Sequence, residues 1–113
     1  DDDDAQLRVT NGYDHTYRLN HAGDFSVPAA RIYDEKSGRT MEVYTTEPAL
    51  HIYTANGLKG NQTGKGGIAY AKRTAICFET MHFADSPNKS HWPSTVLRPG
   101  ERFRSSTKYK FGK

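Results

Sequence analysis

No stretch of this 113-residue chain carries apolar side chains at a 3.6-residue period over three turns, so helix is scarce and the core has to come from strands. Short apolar or alternating runs take its place, separated by Gly, Pro, Asn and Asp. Many short strands with turn signals between them predict an antiparallel all-β fold, a sandwich. The apolar content, 35% of the chain, includes seven tyrosines, and amphipathic rings suit wide, partly exposed sheet faces. The length allows one domain at most.

Composition also removes several function classes. A net charge of +3, scattered along the chain, gives no ground for a nucleic-acid partner. Cys77 is the only cysteine, which excludes an internal disulfide and a Cys-based zinc site. The five histidines have no metal-ligand spacing, so no metal is expected. No run approaches the ~20 apolar residues of a membrane span, and the acidic start lacks a signal peptide's layout. The expected setting is therefore cytoplasmic, without a membrane partner.

Taken in order, residues 1–4 form a solvated acidic run with no assigned function, and residues 7–10 read as a short strand. Asn11-Gly12 is a turn signal leading to a second strand at 16–19. Asp14, between turn and strand, reads either as an Asx-turn residue bonding its own backbone or as a carboxylate pointed into a cleft. Residues 27–34 and 39–46 form a hairpin, with Met41, Val43 and Thr45 alternating against Glu42, Tyr44 and Thr46. Glu47-Pro48 breaks the ladder, and 50–54 resumes it with His51 and Tyr53 on one face.

Residues 56–67 read as a flexible glycine-rich loop, because the glycine and lysine spacing does not fit a phosphate loop. Asn61-Gln62-Thr63 and Asn88-Lys89-Ser90 match glycosylation sequons, which matter only in a secreted chain. Trp92 is either a sugar-stacking platform or a packing anchor. At the C-terminus, Phe103, Ser105, Thr107, Tyr109 and Phe111 alternate with basic and polar residues, predicting one core face and one wet face.

The run Ala75-Ile76-Cys77-Phe78 reads as an interior strand covered on both sides, ending at Glu79. An unpaired carboxylate there costs several kcal/mol, so it is kept where something compensates it or uses it. Two readings follow: a strand-end glutamate with its head in water, or a carboxylate with a chemical task.

The segment Phe78-Glu79-Thr80-Met81-His82-Phe83-Ala84-Asp85-Ser86-Pro87-Asn88 resembles the catalytic-glutamate segment of the aldose 1-epimerases, also called galactose mutarotases. Further blocks resemble that family in its own order: Gly12-Tyr13-Asp14-His15, Ser37-Gly38-Arg39, Met41-Glu42-Val43-Tyr44-Thr45-Thr46-Glu47-Pro48, Tyr53-Thr54-Ala55-Asn56 and Leu97-Arg98-Pro99-Gly100-Glu101. The likeness runs from residue 12 to about 111 and corresponds to the C-terminal part of a family member. Residues 1–113 are thus expected to be a single partial domain, the C-terminal segment of a β-sandwich of the galactose-mutarotase type.

The resemblance implies interconversion of the α and β anomers of an aldohexose such as galactose or glucose, without a cofactor. It implies Glu79 as general base and Asp14 as a binder of sugar hydroxyls. His51 stands where the family commonly has a substrate-contacting glutamine, and it is carried as a candidate substrate contact. Ala84 replaces the usual proline. The family's general acid is an upstream histidine that no residue here matches, so the chain by itself is expected to be inactive. A non-catalytic carbohydrate-binding module, and a fragment that needs an upstream part or second chain as partner, stay open beside the enzyme.

Overall fold

The computed structural model describes residues 3–113, and strands account for most of its regular structure. The chain divides into two compact units, Asp1–Thr16 with His51–Glu79, and Tyr17–Leu50 with Thr80–Lys113. The strand pairs of known register are all antiparallel, as expected for the all-β class. Among the described residues no helix is long and apolar enough to cross a membrane.

The first unit opens with a helix, α1 (Ala5–Thr10), where residues 7–10 read as a strand. The caps decide the outcome. Asp4 accepts from the backbone N–H groups of Gln6 at 2.7 Å and Leu7 at 3.4 Å, and Asp3 pairs with Arg8. Asn11 adopts the left-handed conformation at φ 55°, and the Gly12 N–H donates to the Leu7 carbonyl at 3.0 Å. Asp4, expected to be merely solvated, therefore has a structural role, while Asp1 and Asp2 lie outside the described residues.

Strand residues 14–16, 51–53 and 77–79 of this unit belong to a three-stranded sheet of β1 (Asp14–Arg18), β4 (Ala49–Tyr53) and β7 (Cys77–Met81), in the order β1-β4-β7. The glycine-rich segment is more ordered than the flexible loop expected of it. β5 (Lys59–Thr63) pairs antiparallel with β6 (Ala69–Ala71) across a 3₁₀ turn at Lys65–Gly67. Its Lys-Gly-Asn-Gln-Thr sequence lacks apolar alternation because neither face is buried, so no period signals the strand.

Strand β7 also departs from expectation. It begins at Cys77, with Ala75 and Ile76 exposed before it, and Glu79 is exposed as well. The doubly covered interior strand is thus not present among the described residues, and the burial argument for Glu79 falls with it.

The second unit holds most of the buried side chains. β2 (Ala30–Tyr33) and β3 (Thr40–Thr45) make the expected hairpin, with Ala30 opposite Val43 and Tyr33 opposite Thr40. Its connection is fixed by Asp34, whose carboxylate accepts from the Ser37 N–H at 3.1 Å and from the Ser37 hydroxyl. Val43, Thr45, Glu47, Ala49, Leu50 and Ser86 are buried, so the core lies along the inward face of β3 and the turn after it. Within this core the Glu47 Oε2 atom lies 2.7 Å from Nδ1 of His82 without hydrogen-bond alignment.

On the outward face of β3, the Glu42 carboxylate accepts from the Tyr44 hydroxyl at 2.9 Å, from Lys110 at 3.2 Å and from Arg31 at 2.9 Å. The Tyr44 hydrogen bond, followed by that of Lys110, holds the Glu42 carboxyl below the usual glutamate range.

β8 (Thr107–Gly112) completes the order β2-β3-β8, with Met41 opposite Phe111 and Val43 opposite Tyr109. The expected core face of this strand is not buried. Every residue of β8 is exposed, Phe111 by 74%, and Phe103 lies before the strand begins. Alternation tells which side chains share a face but not whether a second layer covers it.

Candidate functional site

The site grows from the turn between α1 and β1. Gly12 has φ 140°, a conformation that favours glycine, and it turns the chain so that Tyr13 meets the Thr54–Asn56 segment. The Tyr13 N–H donates to Thr54 Oγ1 at 3.0 Å, and the Tyr13 carbonyl accepts from the Thr54 N–H at 3.1 Å and from Asn56 Nδ2 at 2.7 Å. Thr54 in turn donates to Asn56 Oδ1 at 2.8 Å. Two of the blocks singled out in the sequence, Gly12-Tyr13-Asp14-His15 and Tyr53-Thr54-Ala55-Asn56, are therefore one structural feature.

Asp14 follows as the first residue of β1, and its carboxylate does not fold back onto its own turn. Its Oδ1 atom lies 2.8 Å from Nε2 of His51 on β4. The other ring nitrogen, Nδ1, lies 2.8 Å from the hydroxyl of Thr16. Residues 14 and 16 share one face of β1 because strand side chains alternate, so a single imidazole bridges both. The Asp14 side chain is 44% exposed and that of His51 is 21% exposed, which leaves the carboxylate accessible and the ring largely sheltered.

The structure thus brings two of the three expected site residues together. Glu79 sits on β7, the strand after β4 in the sheet order, and its side chain makes no hydrogen bond or ion pair among the described residues. Three of the five histidines are engaged elsewhere. His15 accepts from the Asp14 N–H at 2.9 Å and packs edge-on to Tyr13, His51 is held at both nitrogens, and His82 lies against Glu47 and Phe103. A cleft of about 840 Å³ in the same unit is lined by Leu7, Arg8, Tyr13, Arg73 and Ile76, and does not include Asp14, His51 or Glu79. Sequence reasoning missed Thr16, whose one signal is its offset of two from Asp14 on a strand. It also missed Thr54 and Asn56 as supports.

The chain is thus a β-rich protein that presents an accessible carboxylate held by an imidazole from a neighbouring strand. Residues 2–110 match the sequence profile of the aldose 1-epimerase family, and the chain belongs to that family. It is 40% identical to the galactose mutarotase of Bos taurus over 101 residues, which make up 89% of this chain and 29% of that protein. It is 39% identical to the aldose 1-epimerase of Escherichia coli K12 over 111 residues, 96% of this chain and 32% of that one. The crystal structure of the aldose epimerase homologue from C. elegans superposes with a TM-score of 0.78 at 27% identity, over 88% of this chain and 30% of that one. The fold is therefore of the galactose-mutarotase type. The chain spans about a third or less of the length of these relatives.

Proposed function

We propose that this chain is the C-terminal part of an aldose 1-epimerase that interconverts the α and β anomers of an aldohexose such as galactose or glucose. The observation that carries this reading is the Asp14 carboxylate, held through Oδ1 by His51 and still 44% exposed, within the block that the family uses for sugar hydroxyls. A carboxylate suits that task because it accepts from two vicinal hydroxyls at once. Glu79 takes the proton of the anomeric hydroxyl while an acid protonates the ring oxygen, and the C1–O5 bond breaks to give the open aldehyde. Rotation about C1–C2 and closure on the other face, with the two roles reversed, completes the exchange. Proton transfers alone balance the reaction.

Anomerisation needs two proton-transfer groups on opposite sides of the ring, and this chain offers one matched group. Polarimetry of freshly dissolved α-D-galactose is expected to show the buffer rate with the chain alone and acceleration when an upstream family fragment is added. No acceleration with the fragment present would count against the enzyme. One observation favours the second reading, a carbohydrate-binding module: Glu79 is exposed, and His15, His51 and His82 are each held by other groups. Both readings need Asp14. Asp14→Asn is expected to weaken galactose binding by about 1–2 kcal/mol, the lower part of the range for a charge-assisted hydrogen bond because the group is partly solvated. Unchanged calorimetric affinity would leave Asp14 a structural partner of His51 with no part in binding.

A further inference from the structure

We infer that His51 and Thr16 are positioning residues: the Thr16 hydroxyl fixes the His51 ring so that the ring presents the donor and acceptor of an amide, and His51 orients Asp14 and does not itself contact the sugar. This rests on the sugar-binding reading of Asp14. An ionised carboxylate can only accept, so the 2.8 Å contact between Asp14 Oδ1 and His51 Nε2 requires the ring proton on Nε2. In the neutral imidazole Nδ1 is then an acceptor, and the Thr16 hydroxyl at 2.8 Å is its donor. The chain of bonds runs Thr16 O–H to Nδ1, and Nε2–H to Oδ1.

A glutamine, the residue commonly found at this place in the family, offers the same polarity: an N–H₂ toward the carboxylate and a carbonyl toward the hydroxyl. The neutral ring replaces it without reversing either bond. Both polar atoms of the ring are occupied, which leaves His51 nothing to offer a hydroxyl. The Asp14 Oδ2 atom makes no bond to another described side chain and the side chain is 44% exposed, which leaves the carboxylate acceptor capacity for a diol. The Thr16 hydroxyl on β1 is thus as much a part of the binding geometry as the carboxylate, because it fixes the tautomer on which the carboxylate's orientation depends.

The test has two arms on the full 113-residue chain, with amide spectra confirming that each variant is folded. In the first, long-range ¹⁵N–¹H correlations of the imidazole at neutral pH are expected to place the His51 proton on Nε2, with Nδ1 unprotonated. A proton on Nδ1, or on both nitrogens, overturns the inference. In the second, titration with galactose is expected to show dissociation constants raised about tenfold by Thr16→Val and by His51→Leu, the loss of roughly one hydrogen bond to a charged network. Thr16→Ser and His51→Gln are expected to restore affinity to within about twofold of the wild type. Affinity unmoved by Thr16→Val, or His51→Gln as weak as His51→Leu, also overturns it. Absence of galactose binding in the wild-type chain would count against the sugar reading, while the tautomer still decides whether the relay exists.

Discussion

Glu79→Gln, in the chain combined with its upstream family part, is expected to keep galactose binding and to lower kcat by at least ~10², the scale of a lost general base. Glutamine preserves the size of the side chain and its capacity to hydrogen-bond, but it cannot take the anomeric proton. The effect should therefore appear in kcat with KM little moved. Burial does not support this assignment, because the side chain is exposed. What supports it is the matched segment around residue 79 and the position of β7 next to β4 in the sheet. Polarimetry of fresh α-D-galactose reads the outcome, and a kcat near that of the wild type would remove Glu79 from the chemistry and favour the binding-module reading.

Gly12→Ala is expected to be the most damaging single substitution near the site. A Cβ at this position would meet Asn56 Oδ1, with Asn56 Cγ at 2.8 Å and Thr54 Oγ1 at 3.0 Å, in a backbone of φ 140° that L side chains rarely adopt. Strain and overpacking together should cost about 2–4 kcal/mol of stability. The displaced side chains, Asn56 and Thr54, are those that hold the Tyr13 carbonyl, so Asp14 would lose its aim as well and galactose affinity should fall about tenfold or more. Gly66→Ala is the control. Gly66 also has a positive φ, 72°, but open space around it, and its substitution should cost only about 1 kcal/mol and leave binding alone. Urea unfolding and galactose titration of the two variants separate the effects, and equal losses would show that backbone strain, not the contact with Asn56, decides.

The residues that sequence reasoning placed well are those whose neighbours are dictated by a period. Val43 and Thr45 turn inward from β3, and the β2–β3 hairpin closes on Asp34 and Ser37, because alternation and turn chemistry act locally. Helix α1 escaped notice because six residues are too few for a 3.6 period, and its existence depends on Asp4 and Asn11 at its ends. β5 escaped because its ladder is exposed on both faces, leaving no apolar signature. The exposure of Glu79 and of Phe111 was illegible for a different reason. A run of apolar residues shows that burial would be favourable, not that a covering layer is at hand. Asp14 and His51 came from the family likeness, whereas Thr16 belongs to no matched block and emerges only from the geometry around the ring.

The bonds that hold the site join residues far apart in the chain: Asp14 and His51 are 37 positions apart, and Tyr13 and Thr54 are 41 apart. Closing such loops carries an entropic cost that grows with the logarithm of their length, while the β2–β3 hairpin closes over a handful of residues. During refolding the hairpin should therefore form first, and the carboxylate should meet its imidazole only once the long closures are complete. Protection of the Thr54 amide in pulsed hydrogen exchange would then lag behind that of the Asp34 amide, which bonds the Arg39 carbonyl at 2.9 Å inside the hairpin. The proposed sugar recognition is on that account a property of the finished topology, and no partly folded species should display it.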